Sequence, residues 1–154
     1  MSEKLDRIER ALSARMAHDQ ARERAFDALH DDLVRQRGDL ELTLKRSLYL
    51  GLLKLYDRLG EGVELAEAAG EPTRRLVEAR DEILELLDVE GVTPIDAEGE
   101  FDRHWHSAVA RVDTSSESLH GKVALVHRRG FVKGGKVLRP TDVTVYRFTP
   151  QEVS

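Results

Sequence analysis

Residues 1–58 contain no proline, and glycine only at Gly38 and Gly51, in a stretch crowded with Leu, Ala, Arg, Glu and Asp. Such a run predicts one long helix over about residues 2–58. Leu5, Ile8, Leu12, Phe26, Leu29, Leu33 and Leu40 fall on the a and d positions of one seven-residue register, and Arg15, Asp19 and Arg22 occupy the same stripe between them. A lone helix of this length has no other way to bury Leu and Phe. The pattern therefore predicts a parallel two-stranded coiled coil with a weakened polar middle, and hence a homodimer. A solvated helix whose apolar stripe drifts is the alternative reading, since polar core positions weaken a coiled coil.

From Leu40 onward the apolar residues multiply. Leu42, Leu44, Leu48, Tyr49, Leu50, Leu52, Leu53, Leu55, Tyr56 and Leu59 wrap more of the helix than a two-stranded seam covers. A second helix is predicted over about residues 72–90. Pro72 suits an early helical position, Leu76, Val77, Ile83, Leu84, Leu86 and Leu87 line one side, and Gly91 suits the C-terminus. Two such helices from each of two chains make a four-helix bundle, the simplest arrangement that buries both faces. The expected dimerisation residues are Leu40, Leu44, Leu48, Leu52 and Leu55 of the first helix and Leu76, Ile83 and Leu87 of the second.

Past residue 94 the period changes. Ser107–Val112, Lys122–Val126, Lys136–Arg139 and Val143–Phe148 read as short strands. Gly134 and Gly135, between Phe131-Val132-Lys133 and Lys136-Val137-Leu138, signal a hairpin, because both central positions of a primed turn need positive φ. Pro140 stops or edges a strand. The expected fold class is α+β: a helical dimerisation region over residues 1–94, then a small all-β domain over residues 95–154 that leans on the bundle for part of its stability.

The net charge of −5 hides three blocks: residues 1–48 sum to zero, residues 49–100 to −9 and residues 101–154 to +4. Neutral, acidic and basic blocks indicate regions with different tasks. No window reaches the roughly 18 apolar residues of a membrane span, and the N-terminal stretch lacks an apolar signal region. A cytoplasmic location without membrane association is expected. The absence of cysteine excludes disulfides, thiolate metal sites and thiol nucleophiles.

His104 and His106 flank Trp105 behind Asp102, and a His-x-His pair on a strand projects to one face, as zinc ligands do. No third and fourth ligand follow at a recognised spacing. The competing reading is a histidine that caps or bridges backbone at the entry to the β domain. Ser115, Ser116 and Ser118 have no oriented base and read as a polar loop. Gly130, Gly134 and Gly135 do not open a helix, so no phosphate cradle is implied. No enzymatic activity, metal or cofactor is expected. Arg128, Arg129, Lys133, Lys136, Arg139 and Arg147 make the last region basic, and beside Phe131 and Tyr146 they can mimic a single-strand platform. The excess is small and strand residues alternate sides, so a protein partner with an acidic patch is expected rather than nucleic acid.

Two stretches carry a family resemblance. In FDRHWHSAV, residues 101–109, Phe101 and Asp102 lead to His106 and the small-apolar pair Ala108 and Val109. In GFVKGGKVLRPTDVTV, residues 130–145, Gly130 and Phe131 run through Gly135 to Leu138, Arg139, Val143 and Val145. Both stretches resemble the signatures of the GrpE family, nucleotide exchange factors of DnaK-type chaperones. LLDVEGVTPIDAEGEFD resembles that family's passage from second helix to C-terminal domain. The resemblance implies a partner, the nucleotide-binding domain of a DnaK-type chaperone, and a co-chaperone function, promotion of ADP release by stabilising its open form. A diverged dimeric adaptor without exchange activity is the alternative. On this reading the hairpin makes the contact: Lys133, Lys136 and Arg139 meet acidic groups, while Val137 and Phe131 offer apolar surface. Phe131 serves equally well as core, and Val143 and Val145 are expected there.

Overall fold

A computed structural model describes residues 2–152. The chain divides into two compact units, one up to Lys45 and one from Arg46 onward. Helix α1 spans Ser2–Ala68 and so ends well past residue 58. Gly60 and Gly62 do not stop it, since a glycine inside a helix costs only about 1 kcal/mol and neither residue takes a positive φ. Gly70 does, at φ 69°. Its N–H donates to the Glu67 carbonyl at 3.1 Å and the Glu71 N–H donates to the Ala66 carbonyl at 2.8 Å, a Schellman ending that supplies donors to the last carbonyls. Helix α2, Arg74–Val89, begins after the N-cap Thr73, with Pro72 just outside it. It closes on Gly91, at φ 75°, whose N–H donates to the Asp88 carbonyl at 2.9 Å.

Among its described residues the first unit contains only helix. Leu5, Ile8, Leu12, Phe26, Leu29, Leu33 and Leu40 each stand more than half exposed.

In the second unit the helices meet six strands: β1 Val92–Pro94, β2 His106–Thr114, β3 Val123–Arg128, β4 Phe131–Lys133, β5 Lys136–Arg139 and β6 Thr141–Phe148. One sheet has the order β1-β4-β5 and is antiparallel; the other has the order β2-β6-β3, with β6 parallel to β2 and antiparallel to β3. Gly134 and Gly135, at φ 55° and 77°, form the predicted turn between β4 and β5. Strand β1 is an addition to the sequence reading, which took Val92–Pro94 as a connection. Its three residues pair with β4, Val92 opposite Lys133 and Pro94 opposite Phe131. The core of this unit holds Tyr49, Leu53, Val63 and Ala66 of α1, Leu87 of α2, and Val92, Ile95, Phe131, Leu138 and Val143. Val145 is half-buried.

The two sheets are joined where Gly130 crosses the β5–β6 connection. A Cβ at Gly130 would lie 2.3 Å from the Thr141 nitrogen, 2.5 Å from the Pro140 carbonyl carbon and 2.7 Å from the Arg139 oxygen. That proximity is used. The Gly130 N–H donates to Thr141 Oγ1 at 2.9 Å, the Gly130 carbonyl accepts from Ile95 N–H at 2.9 Å, and the Thr141 N–H donates to the Trp105 carbonyl at 3.0 Å.

His106 bridges backbone at the entry to β2. Its Nδ1 accepts from the Asp102 N–H at 3.0 Å, which leaves Nε2 to donate to the Asp96 carbonyl at 2.9 Å. The ring is buried, and both nitrogens are engaged by main chain. His106→Ala strands two part-buried backbone groups and is expected to cost about 1–3 kcal/mol. Chemical denaturation followed by Trp105 fluorescence would read this; an unchanged midpoint would show that water replaces the ring without loss.

Candidate partner-binding surface

The hairpin residues singled out by sequence divide into two groups. Phe131 and Arg139, opposite one another across β4 and β5, are buried. The Phe131 ring meets the edge of Tyr56, with centroids 5.7 Å apart at 81°, and the Arg139 guanidinium lies over its face, 5.7 Å from the centroid. Arg139 donates from Nη1 and Nη2 to Asp57 Oδ2 and Oδ1 at 2.6 and 2.7 Å, and from Nε to the Arg129 carbonyl at 2.8 Å. A planar fork on a carboxylate fixes orientation as well as distance.

Near the turn the arrangement repeats with different chemistry. Lys133 Nζ donates to the Tyr49 hydroxyl at 3.0 Å and to the Glu90 carbonyl at 2.6 Å. The Tyr49 hydroxyl donates to Glu90 Oε2 at 2.9 Å. Of the remaining residues of the expected set, Lys136 is exposed and Val137 half-buried. Phe131 thus takes the core alternative, and the expectation that Arg139 presents surface is corrected, because helix α1 supplies each with a half-buried partner. Lys133 is likewise committed to the joint between α1, the end of α2 and the hairpin.

Among the expected dimerisation residues, Leu40, Leu44, Leu48 and Leu55 are exposed, and Leu52, Leu76 and Ile83 are half-buried. Leu87 is fully buried within its own chain. It belongs to the intrachain core. The apolar residues that α2 does expose are Leu86 and Val89. Sequence reasoning missed Tyr49, Asp57 and Glu90 as groups that hold the hairpin, because their partners lie far along the chain and no local pattern marks them. No group of three or more His, Asp or Glu side chains placed for a metal occurs among the described residues, and no described helix is long and apolar enough to cross a membrane.

The family model for GrpE matches residues 3–147. The chain belongs to the GrpE family. It is similar to Protein GrpE of Thermus thermophilus, with 40% identity over 96 residues, 61% of this chain and 52% of the relative. It is also similar to Protein GrpE of Campylobacter curvus, 44% identical over 55 residues covering 36% of this chain and 30% of the relative. A third, Protein GrpE of Acidithiobacillus ferrooxidans, is 43% identical over 56 residues, 36% of this chain and 32% of the relative. The chain spans about half or less of the length of these curated relatives. The long helix, second helix and C-terminal β-sheet region described above match the GrpE architecture.

Proposed function

We propose that this GrpE-family chain acts as a nucleotide exchange factor: it binds the nucleotide-binding domain of a DnaK-type chaperone and promotes ADP release by stabilising that domain's open form. The observation that carries the reading is the family match over residues 3–147. The hairpin supports it. Lys136 is exposed beside a turn whose flanking strands are fastened to helix α1, as a contact element must be if it is to favour one geometry of its partner. The mechanism is linkage rather than chemistry. A protein that binds the parted form better shifts the equilibrium by its differential affinity, and moving it from 1:99 to 99:1 takes about 5.5 kcal/mol of preference.

On the same reading residues 1–94 form the dimerisation region and residues 95–154 the chaperone-facing domain. Two chains pair through the exposed leucines of α1. The test is stopped-flow release of a fluorescent ADP analogue from the host's DnaK-type chaperone. Acceleration of up to about 100-fold is expected, since release follows the open form as its population rises from about 1% to about 99%. No acceleration would sink the exchange reading and favour a dimeric adaptor. Lys136→Glu is expected to weaken chaperone binding about three- to tenfold through lost charge complementarity, with the mass of the particle unchanged. Arg139 is left out of that charge reversal because it is buried, and its replacement would disturb the fold.

A further inference from the structure

We infer that Asp57 is a positioning residue for exchange, setting through Arg139 the angle at which the β4–β5 turn meets the chaperone; the inference rests on the exchange-factor reading above. The hairpin is held at two points along one helix. At its base, consecutive residues of α1 take one strand each: Tyr56 holds Phe131 of β4, and Asp57 holds Arg139 of β5. Near its tip, Tyr49 takes Lys133, the residue just before the turn. Tyr49 and Tyr56 are seven residues apart, two helical turns, so both attachments lie on the same face of α1. With β4 held by β1 on one side, a single attachment would still let the hairpin tilt against α1. Two define its direction.

The chemistry at the base is more directional than stability requires. A buried ion pair is weak evidence for net stability, because desolvation offsets most of the attraction, and two apolar side chains would hold strand to helix as well. The paired fork instead fixes the guanidinium plane, and the third N–H, on the Arg129 carbonyl, prevents rotation about it. The side chain of Arg139 is 9% exposed and that of Asp57 25%, so water competes little for either.

The consequence concerns differential rather than total affinity. A hairpin fixed in angle fits one geometry of its partner, whereas one free to swing follows both the closed and the parted form and loses the preference that drives release. Loosening the clamp should therefore lower the saturating rate of ADP release and leave the half-saturating concentration nearly unchanged. A residue that only contributed contact energy would do the reverse.

The experiment is a concentration series of ADP release with the unaltered chain, Asp57→Asn, Arg139→Lys and the double variant Asp57→Asn/Arg139→Gln. Asp57→Asn keeps the shape, and Arg139→Lys keeps the charge but loses the fork. We expect each single variant to lower the plateau roughly tenfold with the half-saturating concentration within about threefold, the scale of ordinary allosteric coupling. The double variant should cost less than the two singles added together, since all three break the Asp57–Arg139 fork. Circular dichroism at the assay temperature separates this from unfolding: a plateau that falls only in proportion to the folded fraction overturns the inference, as does an unchanged plateau in an active series. No acceleration by the unaltered chain overturns the exchange reading itself. A second readout needs no chaperone. The chain holds no cysteine, so Glu61→Cys with Lys136→Cys, spin-labelled and mixed with an excess of unlabelled chain so that a dimer carries at most one labelled protomer, gives a single intrachain pair. Their distance distribution should be narrow and should broaden on adding Arg139→Lys; an equally narrow one would show that the fork does not set the angle.

Discussion

Gly130→Ala is expected to lower stability by about 3–5 kcal/mol, at the upper end of what a single substitution does. The cause is space rather than conformation. Gly130 is not among the glycines with positive φ, yet a methyl group there would sit within 2.3 to 2.7 Å of three backbone atoms of the β5–β6 connection. Backbone cannot turn aside as a flexible side chain does. Relief would require Gly130 and Thr141 to separate, which removes the buried bond between Gly130 N–H and Thr141 Oγ1 and strains the neighbouring bonds to Ile95 and Trp105. Gly135→Ala is the matching control. Its φ of 77° penalises a side chain, but nothing lies within 4 Å, so it should cost only about 1–2 kcal/mol. Urea unfolding followed by Trp105 fluorescence compares the two, and Gly130→Ala with a midpoint at or above that of Gly135→Ala would show that the crossing relaxes without penalty.

The second large effect is on assembly. Leu44→Glu with Leu48→Glu is expected to convert a particle near twice 17.4 kDa into a monomer of 17.4 kDa, measured by sedimentation at micromolar concentration. In the single chain Leu44 is 73% and Leu48 60% exposed, so carboxylates at these positions cost the lone fold little. In a helical bundle the same carboxylates would be buried without partners, and the association would not survive that desolvation. Leu87→Glu gives the contrast. It places a charge at a site with no exposure inside one chain, and should unfold the second unit rather than dissociate intact protomers. A particle of unchanged mass carrying both Leu44→Glu and Leu48→Glu would remove this stripe of α1 from the interface.

Much of this was legible in the residues, and the exceptions have physical causes. The long helix, the second helix, the Gly134–Gly135 turn and the strand positions follow from periodicity and turn chemistry, which are local. The helix runs ten residues past the expected end because its backbone terminates only at Gly70, where positive φ lets the last carbonyls find donors. Strand β1 was missed because three residues ending in proline carry no alternation. The hairpin was located from its glycines, but the direction of its side chains was not: Arg139 looks like a surface charge until Asp57, 82 residues away, is brought beside it. Pairings at such separation leave no trace in spacing. Leu87 was assigned to the wrong neighbour for a related reason, since an apolar stripe announces burial and says nothing about which chain does the burying.

The arrangement β2-β6-β3 also sets an order of assembly. The strand made last of the three is the one in the middle, so neither β2 nor β3 has its ladder partner until residues 141–148 have been synthesised. Helices, whose contacts are local, form early; a sheet built on a distant central strand forms late and slowly. From the completion of β3 at Arg128 until the appearance of Phe148, the nascent chain carries two unpaired strands behind a completed helix, and its exposure to wrong pairing is greatest in that interval.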